Sequence, residues 1–66
     1  MTREQAMTAL EIRAFRNRIG LSQLCHSAGL SRTIATRWQN EKGTPLLPTI
    51  GRLEAALDAI EREKAR

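Results

Sequence analysis

The sequence predicts an all-α fold: a compact single domain over residues 1–66, built of four or five helices, of which four can be placed. Two observations carry this prediction. No run alternates apolar with β-branched or aromatic residues, and Val and Tyr are absent, so no strand is signalled. Ala, Leu, Glu, Arg and Gln dominate, and the breakers Gly20, Gly29, Gly43, Pro45, Pro48 and Gly51 punctuate helix-length segments.

The first helix is expected from about Arg3 to about Arg18. Met7, Leu10 and Ala14 form one apolar row, and Ile12, Phe15 and Ile19 an adjacent one, at helical spacing. Gly20 is expected to stop it in a left-handed conformation. Ser22 then caps a second helix, Gln23 to Ala28, whose inner face is Leu24, Cys25 and Ala28. Gly29 and Leu30 make a tight turn. Ser31 caps a third helix, Arg32 to about Asn40, with Ile34, Ala35 and Trp38 inward. After a loop, Pro48 suits the first position of a fourth helix, with an apolar face of Ile50, Leu53, Ala56, Leu57 and Ile60. The charged tail from Glu61 is expected to fray.

Composition excludes several classes. A chain of 66 residues buries only about 60% of the surface its unfolded form exposes, so a partner would help to stabilise it. Cys25 is the single cysteine, which precludes an internal disulfide. Residues 1–10 include Glu4 and do not read as a signal peptide, and no stretch has the roughly 20 apolar residues of a membrane span. The expected location is therefore the cytoplasm, or a nucleoid within it. Cys25 and His26 are adjacent and point apart on a helix, and a zinc site needs about four ligands, so no metal is expected. With one Asp, one His and no phosphate-cradling glycine loop, no enzymatic activity, cofactor or small-molecule ligand is expected. Cys25 reads as a small buried residue, and Trp38 as a core side chain.

The net charge is +4, unevenly spread. Between residues 12 and 53, Arg13, Arg16, Arg18, Arg32, Arg37, Lys42 and Arg52 face only Glu41. A concentrated basic region of this kind suits nucleic acid. Arg13, Arg16 and Arg18 are open to two readings, the wet side of a helix or phosphate contact. His26 is expected at the surface, and Ile34 either flanks the core or borders an interface.

The most informative stretch runs from Leu24 to Trp38: a short helix, a glycine turn and a capped second helix in immediate succession. Two steeply crossing helices need a small residue where they touch, and Cys25 is so placed. Gly29 supplies the positive φ of the turn. The outer face of the third helix is then Arg32, Thr33, Thr36, Arg37 and Asn40, all hydrogen-bonding and none acidic. Such a face suits the major groove, where Arg pairs with guanine, Asn with adenine and Thr with a thymine methyl or a phosphate.

Gly20-Leu21-Ser22-Gln23, Ala28-Gly29-Leu30-Ser31-Arg32, Gly43-Thr44-Pro45 and Leu53-Glu54-Ala55-Ala56-Leu57, in that order, resemble the Cro and lambda-repressor-like helix-turn-helix family. Ile12-Arg13 and Phe15-Arg16 match its first-helix pattern. The second helix is about two residues shorter than the family's usual one. The resemblance implies a double-stranded DNA-binding transcriptional regulator, a repressor acting as a homodimer on an inverted repeat, akin to small phage and mobile-element regulators, among them repressors encoded beside anti-CRISPR genes. It implies base contacts from Arg32, Thr33, Thr36, Arg37 and Asn40, and phosphate contacts from Ser22, Gln23, Ser31, Lys42 and Thr44. The expected dimer interface is the fourth helix, through Leu53, Leu57 and Ile60, or through the small row Ala55, Ala56 and Ala59. The competing reading is a helical protein-interaction module, such as an antitoxin or phage inhibitor, which would need large apolar anchors on its contact face.

On the DNA reading, Lys42→Ala binds every duplex more weakly by the same factor. The slope of log K against log salt falls by about 1. Binding titrations over a salt series, on specific and random DNA, check it.

Overall fold

A computed structural model describes residues 2–41 and 43–65. Four helices follow in order: α1 Arg3–Arg16, α2 Leu21–Ser27, α3 Arg32–Gln39 and α4 Leu47–Lys64. No strand occurs among the described residues. The radius of gyration is 11.0 Å, and a folded domain of this length is expected at about 11 Å. Among the described residues no helix is long and apolar enough to cross a membrane.

α1 opens on a capping box: Thr2 Oγ1 accepts the Gln5 N–H at 3.1 Å, and Gln5 Oε1 accepts the Thr2 N–H at 2.8 Å. Its stop differs from the expectation. The left-handed residue is Arg18, at φ 61°, and not Gly20. The Ile19 N–H reaches the Ala14 carbonyl at 3.0 Å and the Arg18 N–H reaches Phe15 at 2.9 Å, the paired bonds of a Schellman ending. Gly20 is extended and serves as the N-cap of α2, so α2 starts at Leu21 and Ser22 lies inside it. α2 ends the same way as α1, this time on Gly29 at φ 74°, with Leu30 N–H to Cys25 O at 2.8 Å. An added Cβ at Gly29 meets nothing within 4 Å, so it is the positive φ and not the space that calls for glycine. α3 is capped by Ser31 as expected and ends on Glu41 at φ 57°. α4 begins one residue earlier than expected, which puts Pro48 at its second position.

The core gathers Met7, Leu10 and Ala14 of α1, Leu21, Leu24 and Cys25 of α2, Ala35 of α3, and Ile50, Leu53 and Leu57 of α4. Of the two apolar rows the first faces inward, and from the second only Ile19, beyond the end of α1, packs on the core. Ile12 is 49% exposed and Phe15 82% exposed, because α2 and α4 cover the Met7–Leu10–Ala14 side alone. Leu53 and Leu57, expected at a subunit interface, are fully buried within the single chain and present nothing to a partner. Ile60 is half-buried against the same core, whereas Ala55 and Ala59 are exposed.

The tail does not fray at Glu61. Arg13 bridges α1 to α4: its Nε donates to Glu61 Oε2 at 2.9 Å, and its Nη2 donates to Glu61 Oε1 and, at 2.5 Å, to Asp58 Oδ1. Asn17 adds a bond to Glu61 Oε2 at 3.0 Å, and Lys64 Nζ donates to the Asn17 carbonyl. Arg13 is therefore committed to the contact between α1 and α4 rather than standing free in solvent. The Arg13 guanidinium, with the Asn17 amide, pulls the Glu61 carboxyl down to about 2 from an ordinary 4.5.

Because Glu61 is more acidic folded than unfolded, its stabilising effect is complete above about pH 4.5 and fades as the pH falls toward 2. Glu61→Gln should flatten that part of the Tm-against-pH curve and lower Tm at neutral pH. Arg18→Gly should stabilise by about 0.5–1 kcal/mol, since relief of left-handed strain outweighs the added freedom of the unfolded chain. Urea unfolding measures it.

Candidate nucleic-acid interface

The orientation of α3 follows from its contact with α2. Cys25 and Ala35 are both fully buried, and the Ala35 backbone lies against the Cys25 sulfur. Side chains this small let the two helix backbones approach. Burial pushes the Cys25 thiol upward in pKa, as expected of an inert packing residue. Trp38, half-buried, donates its indole N–H to Glu11 Oε1, which ties the end of α3 to α1. Ile34 is half-buried and packs on the core.

With Ala35 inward, Arg32, Thr33, Thr36, Arg37 and Asn40 are all exposed on the outer face of α3. Among the described residues Arg32 and Arg37 take part in no ion pair, since the only ion pairs are those of Arg13. The threonines are partly committed. Ser31 Oγ accepts the Thr33 N–H at 3.2 Å and donates to Thr33 Oγ1 at 3.0 Å. Thr36 Oγ1 donates to the Arg32 carbonyl at 3.2 Å, so its proton is used within the helix and an acceptor and a methyl remain. The free donors of the face are thus Arg32, Arg37, Asn40 and the Thr33 hydroxyl.

Ser22 of α2 comes beside the start of α3, where it lines a shallow depression with Ser31, Arg32, Thr33 and Thr36. Gln23 is exposed on the same short helix. At the other end Thr44 joins Ile34, Arg37, Pro45, Leu46 and Thr49 around a second depression. The phosphate-contact candidates Ser22, Ser31 and Thr44 therefore flank the two ends of the α3 face. Lys42 lies outside the described residues. No acidic side chain lines either depression. Glu4, Glu11 and Glu41 line a separate cleft with Trp38, Gln39 and Thr44 at the C-terminal end of α3, and Asp58 and Glu61 lie on α4.

No cluster of three or more His, Cys, Asp or Glu suited to a metal occurs among the described residues. Sequence reasoning missed two exposed apolar features, one of them beside this face. Leu46 and Leu47 are each 66% exposed at the start of α4, close to Arg37, and Phe15 stands out from α1. Periodicity marks these residues as apolar but cannot say which side of a helix is left uncovered. Comparison with protein-family models, with curated proteins and with solved structures found no match.

The Ser31 cap starts the helix that carries the face. Ser31→Ala should lower stability by about 1 kcal/mol and Ser31→Asp should retain it, as read by chemical denaturation.

Proposed function

We propose that this protein is a sequence-specific double-stranded DNA-binding regulator of transcription. Residues 21–39 act as a helix-turn-helix of the lambda-repressor-like type, and α3 enters the major groove. One observation carries the reading: α3 and its C-cap Asn40 turn outward Arg32, Thr33, Thr36, Arg37, Gln39 and Asn40, all polar and none acidic, with the two arginines in no ion pair among the described residues. With no acidic side chain lining the depressions at either end of this face, the guanidinium groups of Arg32 and Arg37 are open to an external acceptor.

The roles divide by position. Arg32, Arg37 and Asn40 present donors or amide groups at the spacing of successive turns, suited to base edges. Thr33 contributes its hydroxyl proton and a methyl, and Thr36 an acceptor and a methyl. Ser22, Gln23, Ser31 and Thr44 sit to either side, where the backbones flanking the groove would pass, and fix the register. The unpaired arginines of α3 attract the polyanion, while basic and acidic side chains balance on α1 and α4, so the α3 face is favoured on approach. Two copies on an inverted repeat double a small number of base contacts, and occupancy of a promoter then represses it.

Arg37→Ala is expected to cost about 1–3 kcal/mol of binding to the preferred site and to relax preference at one base pair. Arg62→Ala, at the far end of α4, leaves binding unchanged. Fluorescence anisotropy on the preferred duplex and its single-base variants measures both. Undiminished binding by Arg37→Ala contradicts the assignment of the reading face.

A further inference from the structure

The exposed side of α1 has a pattern that the proposed DNA contact does not use. Ile12 and Phe15, three residues apart, form an apolar ridge that is 49% and 82% exposed. Glu11 and Arg16 border this ridge on its two opposite edges, and both are exposed. In the heptad notation of paired helices these four are g, a, d and e: Glu11, Ile12, Phe15, Arg16. The preceding a and d positions, Gln5 and Thr8, are polar, which confines the apolar seam to the C-terminal half of α1.

We propose that this ridge is the contact between two copies of the protein, with the two α1 helices parallel about a two-fold axis. The charges select both the occupant and its direction. In a parallel pair the g residue of one helix meets the e residue five positions on in the other. Glu11 then faces Arg16 of the second copy, and symmetry supplies the pair twice. In an antiparallel pair like edges meet, so Glu11 opposes Glu11 and Arg16 opposes Arg16. Glu11 is already held by the Trp38 indole through Oε1, which leaves Oε2 for the second copy. Phe15 is the large aromatic anchor that an interface needs at its centre. The seam replaces the buried Leu53 and Leu57 as the site of self-association.

One heptad buries little area, so the dimer is weak in free solution, with a dissociation constant of roughly 0.1–1 mM. Two copies held side by side on DNA reach effective concentrations of that order, and there the contact couples them. This last role rests on the DNA reading; the contact itself does not, and is tested without DNA.

Sedimentation equilibrium of the protein alone, up to about 1 mM, is the experiment. The unmodified chain dimerises, and Phe15→Ser stays monomeric with its helical circular dichroism intact. Glu11→Arg and Arg16→Glu each weaken association by about tenfold, because two attractive pairs become repulsive. The double variant Glu11→Arg/Arg16→Glu restores it, and so does an equimolar mixture of the two single variants. A monomeric unmodified chain overturns the proposal, as do single variants that associate like the parent. So does a dimer that Leu47→Ser abolishes and Phe15→Ser leaves untouched.

Discussion

The close approach of α2 and α3 at Cys25 and Ala35 is the constraint on which the rest of the structure depends. Both side chains are small and fully buried, so the helix backbones meet with little between them. Gly29 makes the approach practicable by closing α2 on a left-handed residue, and the Leu30 N–H returns to the Cys25 carbonyl within one turn. The chain has no slack at this point. Once α3 is pressed against α2 through Ala35, the direction of every other α3 side chain is fixed. A larger residue at Cys25 would lift α3, and the row from Arg32 to Asn40 would turn with it.

A second constraint sorts the charges. Arg13 is held by Glu61 and Asp58, and this clamp, with Asn17 and Lys64, fastens the end of α4 along α1. The clamp engages Asp58 and Glu61 along α1, whereas Glu4, Glu11 and Glu41 line a cleft at the C-terminal end of α3. Glu11 is engaged by Trp38 at the end of α3. What remains on the outer face of α3 is cationic or neutral. The proposed function draws on this division, since a polyanion is attracted to the α3 face, whereas the charges of α1 and α4 balance. The division also explains how a basic chain contains seven acids without neutralising its α3 face.

Local signals in the sequence were legible where the structure is local. Ser31 as a cap, Gly29 at positive φ and the outward row of α3 all depend on residues within one or two turns. The stop of α1 was not legible, because Schellman geometry fell on Arg18 while a glycine stood two positions later and served instead as a cap. The Arg13–Glu61 bridge joins residues 48 apart in sequence, a separation at which spacing carries no signal. Apolar periodicity also left two sides undecided. On α4 it marked Leu53 and Leu57 correctly as apolar, yet the single chain buries them itself. On α1 it gave two adjacent rows, and only packing by α2 and α4 decides that Ile12 and Phe15 stay outside.

The central claim is that the outer face of α3 reads a DNA sequence. Selection of duplexes from a random library by the purified protein tests it most directly. The account predicts enrichment of a defined site, an inverted repeat whose half-site spacing gives the separation of two α3 helices. Absence of enrichment, with binding that disappears by about 200 mM salt whatever the duplex, would contradict it, since that is how a basic surface without sequence readout behaves.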